Sequence, residues 1–349
     1  MSKTNPGRFF EDFRLGQVIA HATPRTVTTG DVAVYTALHG PRFALFSSDE
    51  FAKGCGFDRA PLDSLLVFHV VFGKTVADIS LNAVANLGYA EGRVLAPVFP
   101  GDTLTATSEV IGLRASSGGD TGIVYVRTTG RNQAGGAVIE FIRWVLVRKG
   151  SADAPVQPNV VPEFASAVPA ADLVAPSALS FAGYDFGLAG SAHALEDYAV
   201  GERIDHLDGM TLQEAEHQLA TRLYQNTAKV HFNQFERGKS PAGRRLVYGG
   251  VVISTAKALS FNGLENAGLI LAINGGRHVN PYFAKATLFA WSEVLDTAVL
   301  SDDVGALRLR LVATKDRPCE DFPDKDETGR YLPEVVLDFD YWAAVPRRP

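Results

Sequence analysis

Apolar residues in this chain follow two rhythms. In "IEFIRWVLV" (139–147) and "VVLDFDYWAAV" (335–345) they recur at a period of two, which predicts β-strands. In "PLDSLLVFHVVFGKTVADI" (61–79) and "GGVVISTAKALSFNGL" (249–264) they cover nearly every face of a helix. Such a helix is stable only where other elements bury it on most sides, so a sheet is expected to curl around each one. Strands wrapped around one apolar helix make an α+β fold.

The rhythm then repeats. "FEDFRLGQVI" (10–19) returns as "LEDYAVGERI" (195–204), and "PVFPGDTLTATSEV" (97–110) returns as "PYFAKATLFAWSEV" (281–294). The ends of the halves also match, with Trp144 aligned to Trp342 and the extra length placed in the charged, proline-bearing "RPCEDFPDKDETGR" (317–330), expected to be a solvated loop. Three anchors in one order predict a duplicated domain. The first copy is expected over residues 1–150 and the second over 186–349. Between them, 151–185 is rich in Pro, Ala and Ser and reads as a surface linker.

Composition narrows the function. A chain of 349 residues, 46% hydrophobic and 21% charged, is that of a soluble globular protein with room for two cores. Its net charge of −6 argues against a nucleic-acid partner. No apolar run nears the roughly 20 residues of a membrane span, and the start lacks the pattern of a signal peptide. Cys55 and Cys319 form neither a disulfide framework nor a metal-spaced cluster, so a reducing cytoplasm fits best; no metal or other cofactor is expected.

One polar run stands out. "YQNTAKVHFN" (224–233) lies between an amphipathic segment and a basic loop, and by itself it reads as a helix end with a surface histidine. The whole pattern, with "GYAEGRVLAPVFPGDTLTATSEV" in the strand region, resembles the hot-dog fold of the MaoC-like hydratases. The resemblance holds in both halves, which implies a double hot dog: two repeats, each a curved antiparallel sheet around a central helix. The long stretches "DVAVYTALHGPRFALFSSDEFA" and "PLDSLLVFHVVFGKTVADISLNAVANLGYAEGR" are similar to the mesaconyl-CoA (2-methylfumaryl-CoA) hydratases of that family.

The family motif is Asp-x4-His, followed by a hydrophobic stretch ending in His-Gly. Aligned to it, Asn226 takes the Asp position, His231 the His and Gly250 the final Gly. In the first half, "GPRFALFSS" puts Pro41 and Phe46 at the two motif positions, and neither moves a proton. The resemblance therefore implies a silent first copy and an altered but active second one. The implied reaction is reversible hydration of an enoyl-CoA, with His231 as acid and base, Asn226 orienting water and Gly250 binding the thioester oxygen. The base fits a side chain that titrates near pH 6.5 (roughly). An amide in place of the carboxylate cannot take a proton, and Asn also suits a plain turn.

The substrate implied is mesaconyl-CoA, whose carboxylate needs a cation. Lys229, beside His231, and Arg42, in the silent loop, are candidates for it. Arg93, Arg277 and Lys285 are candidates for the phosphates of CoA. His69 reads as a core residue, His217 as half-exposed, and nothing selects His278. The alternatives are a general R-specific enoyl-CoA hydratase, a hot-dog thioesterase and a non-catalytic acyl-CoA-binding protein. A homodimer is expected.

Overall fold

The two apolar runs form helices at Ser64–Thr75 and Gly249–Leu259 in a computed structural model that describes residues 3–151, 153–154 and 158–348. Residues 152 and 155–157 of the expected linker lie outside the described residues. Every residue of the first helix is buried, as are all of the second except Gly249. Each Leu, Val or Phe taken from water contributes about 1.5–3 kcal/mol, which is what holds so uniformly apolar a helix in place.

The strands are β1 (Val18–Thr26), β2 (Ala83–Val94), β3 (Thr103–Ala115), β4 (Thr121–Arg131) and β5 (Ala137–Arg148). The second half supplies β6 (Arg203–Thr211), β7 (Ile270–His278), β8 (Thr287–Val299), β9 (Val304–Lys315) and β10 (Val335–Pro346). All pair antiparallel in one ten-stranded sheet of order β1-β3-β4-β5-β2-β7-β10-β9-β8-β6. This is the double hot dog. β2 and β7 join the halves, Tyr89 facing Gly276 and Arg93 facing Ala272.

Local details recur across the halves. His21 Nε2 meets Ser108 Oγ at 2.8 Å, and His206 Nε2 meets Ser292 Oγ at 2.8 Å. Both edge strands slip register at or next to that histidine, between His21 and Arg25 and between Asp205 and Gly209.

The connecting segment is pinned to the sheet face away from the helices. Phe164 stacks on Trp144, their rings 5.3 Å apart, and Trp342 Nε1 donates to the Val168 carbonyl at 3.0 Å. The charged insertion at 317–330 departs from the expected solvated loop. Cys319 is buried with Trp291, Val312 and Val335, Phe322 packs beside them, and Asp324 meets Arg310 at 2.9 Å. Trp291 Nε1 also donates to the Pro323 carbonyl (3.1 Å), so an apolar side and an ion pair hold down a segment whose composition suggested water.

Candidate active site

The helix Glu214–Leu223 ends in a left-handed residue, Gln225 (φ 53°). Asn226 then closes a local turn, its Oδ1 accepting from the Ala228 N–H at 2.9 Å. Short Asn side chains favour this bond, which leaves Nδ2 as the group the amide can offer elsewhere. One 3-10 turn, Lys229–His231, brings the histidine round. His231 Nδ1 donates to the Leu246 carbonyl at 2.9 Å, which leaves Nε2 as the basic nitrogen. Burial lowers the pKa of His231 to about 4; the Leu246 carbonyl opposes this, and His217, His278 and Arg237 add to it.

Asn226 and His231 share the wall of a cavity of about 290 Å³. The second half also contributes Tyr248, Gly249 and His278, whose imidazole is lowered to about 4 by burial. The first half contributes Phe72, Ser80, Asn86, Tyr89 and Arg143. No Asp or Glu is among the described residues that line it.

The helix Gly249–Leu259 begins at this wall, and no side chain caps its first amides. Such amides carry partial positive charge and lack acceptors within the helix. Of the two adjacent glycines, Gly249 rather than the expected Gly250 lines the cavity. A Cβ on Gly249 would lie 2.3 Å from His278 Nε2. Gly250 does not line it: a Cβ there would strike Tyr248 Cε1 at 2.4 Å and His69 Cε1 at 2.6 Å. Gly250 serves the packing of two rings, and Gly249 serves the cavity.

None of the five cations anticipated for the substrate lines the cavity. Lys229 is exposed and pairs with Glu236 at 3.4 Å. Arg42 lies over the Phe261 ring (4.5 Å) and 3.8 Å from Asp208. Arg93 pairs with Asp172 at 3.2 Å, and Arg277 and Lys285 are exposed. The charge on the wall is Arg143 of β5, fully buried, which the sequence reading passed over. A signal for it exists. Phe141, Arg143, Val145 and Val147 occupy the inward phase of β5, where an arginine among apolar neighbours is out of place. Burial lowers the guanidinium to about 10, still charged at neutral pH.

The other histidines sort by burial. His69 is fully buried with Nε2 on Ser254 Oγ (3.0 Å). His217 is also buried, against the expected half exposure, and meets Glu214 at 3.0 Å. That bond ties the ring to the turn below it in its own helix.

Known proteins place these features in a family. A family model described as mesaconyl-CoA hydratase matches residues 2–319. A Cereibacter sphaeroides protein named mesaconyl-CoA hydratase is 62% identical over 346 residues, 99% of this chain and 100% of its own. A Chloroflexus aurantiacus protein named β-methylmalyl-CoA dehydratase is 60% identical over 349 residues, 99% of each chain. A solved structure from Chloroflexus aurantiacus, described as a MaoC domain protein dehydratase, superposes with a TM-score of 0.98 at 60% identity, covering all of both chains.

Proposed function

The chain belongs to the mesaconyl-CoA hydratase family, and on that premise we propose how its cavity handles a conjugated thioester. The enzyme is a hydro-lyase, and its reaction is the reversible hydration of mesaconyl-CoA to β-methylmalyl-CoA. The acyl chain enters the cavity with its thioester oxygen at the N-terminus of the helix Gly249–Leu259. Asn226 Nδ2 donates to a water oxygen, and His231 Nε2 takes one of that water's protons. The hydroxyl bonds to the β-carbon while the alkene electrons move toward the thioester, and the Gly249 N–H receives the resulting enolate oxygen. His231 then returns the proton to the α-carbon on the same face. One water is added, and the histidine ends as it began.

The observation that carries this reading is the His231–Leu246 bond, which leaves the basic nitrogen bare beside Asn226. Burial suits both roles of the ring. It stays neutral at physiological pH, and once protonated it is a destabilised cation that gives up its proton readily. A thioesterase would call for a carboxylate near the thioester, and the described lining offers none. The proposal includes a homodimer and a cytoplasmic setting, the latter supported by two buried free thiols, Cys55 and Cys319.

The test is an assay of the purified protein with mesaconyl-CoA, following thioester-conjugation absorbance and free thiol together. Loss of absorbance without thiol is the expected result. Thiol release would make the protein a thioesterase, and no change in either would leave it a binding protein.

A further inference from the structure

We propose that Arg143 is the receptor for the free carboxylate of the substrate, so that the silent half carries the specificity subsite of the enzyme. The inference rests on the hydratase reading of the cavity. Arg143 is fully buried, and among the described residues no carboxylate lies within ion-pair distance of it. A charge so placed is costly unless something compensates it.

Its geometry is set by three contacts. Nη2 donates to Thr75 Oγ1 at 2.7 Å and to Ser80 Oγ at 3.0 Å, and the guanidinium carbon lies 4.3 Å from the centre of the Phe72 ring. Nε and Nη1 have no hydrogen-bond partner among the described residues. Asn86, opposite Val145 on the neighbouring strand, lines the same cavity with both its amide atoms unpartnered. These are the donors an anion requires. The arginine also lies outside the framework common to both halves: the residue before Trp342, its counterpart in the repeat, is Tyr341.

Mesaconyl-CoA carries its carboxylate on the β-carbon, the carbon that receives the hydroxyl. Holding that carboxylate at Arg143 decides which end of the alkene faces the water beside His231. A neutral acyl group in the same place leaves the guanidinium unpaired, so the site discriminates through its own uncompensated charge.

The experiment compares mesaconyl-CoA with 2-methylcrotonyl-CoA, which has a methyl where the carboxylate stands. The wild-type protein is expected to favour mesaconyl-CoA in kcat/KM by about 10³-fold or more. Arg143→Gln should remove most of that preference, with a loss of about 10²–10³-fold on mesaconyl-CoA and little change on the neutral thioester. Ser80→Ala, a milder change that loosens only one anchor of the guanidinium, should cost mesaconyl-CoA alone about tenfold, and it decides the matter if Arg143→Gln fails to fold. Equal losses on both thioesters in Ser80→Ala, or a wild-type protein that hydrates both alike, would overturn the assignment of Arg143 while leaving the hydratase reading intact. A wild-type protein that hydrates neither would remove the hydratase reading, and the carboxylate subsite with it.

Discussion

At the N-terminus of the helix Gly249–Leu259, the chain opens onto a cavity of about 290 Å³; at the matching end of Ser64–Thr75, the space is about 20 Å³. The difference goes beyond the missing histidine. Asp63 occupies the cap position that Tyr248 holds in the other half, and its Oδ1 accepts from the Leu65 N–H at 2.8 Å. A carboxylate thus already sits where an enolate oxygen would be bound. Phe43 fills the rest, its ring 3.7 Å from Lys257 Nζ, and Phe46 packs into the neighbouring apolar cluster.

Each site also holds a buried cation, and the two are used differently. Lys257 donates to the Ala267 carbonyl at 3.2 Å, and burial pushes its pKa down while the charge of Asp63 opposes the shift. Asp63 is pushed up by burial in turn. The lysine therefore has protein partners around it, whereas Nε and Nη1 of Arg143, on a cavity wall, have none among the described residues. Duplication left two equivalent helix ends, and a change of cap separates the closed one from the open one.

The largest way to break this comparison is to remove the proposed acid–base group. His231→Ala should lower kcat by about 10²–10⁴-fold in a hydration assay. Phe46→His in the other half should restore nothing, because Asp63 and Phe43 still close that site. Turnover by the double variant would show that the closed site is only a lost histidine.

The next effect separates the two adjacent glycines. Gly249→Ala, with its Cβ directed at His278, should reduce kcat by about tenfold or more, the range for an impaired oxyanion donor. Gly250→Ala should act first on folding, costing about 1–3 kcal/mol by overpacking against Tyr248 and His69, and should appear as a lower Tm. A Gly250→Ala protein with unchanged Tm and no turnover would return the oxyanion role to that residue.

The smallest effect is a displacement along the pH axis. The proposed role of His231 as a neutral base, its pKa lowered to about 4 by burial, predicts activity above that value and its loss as pH falls through it. Asn226→Asp places a negative charge beside the ring, which favours the imidazolium and raises its pKa. The acid limb of the kcat/KM profile should move to higher pH. An unmoved limb would mean that Asn226 and His231 do not share an electrostatic environment.

Much of this was legible in the sequence, for physical reasons. Period-two strands, two mostly apolar helices and the repeated anchors leave few ways to bury the chain, and the double hot dog is one of them. Asn226 and His231 could be aligned because their spacing is local, and they reach one cavity wall. Which cation lines the cavity is not legible, because the wall is assembled from both halves of the chain. Lys229 and Arg42 lie close in sequence to the motif positions but pair at the surface, while Arg143 crosses from the other half through β5. Gly249 and Gly250 are chemically identical in a string of letters. Only the rings of His278, Tyr248 and His69 tell them apart.

The segment that crosses the outer sheet face has an optical consequence. The protein contains three tryptophans, and the crossing segment touches two of them, through the Phe164 ring at Trp144 and the Val168 carbonyl at Trp342. The third, Trp291, is held at the far side by the Pro323 carbonyl. Lifting the segment would remove the ring stacked on Trp144 and the carbonyl bonded to Trp342, and would leave the Trp291 bond in place. The intrinsic emission of the enzyme is therefore a built-in gauge of whether the connecting segment is docked on the sheet, with Trp291 as its internal reference.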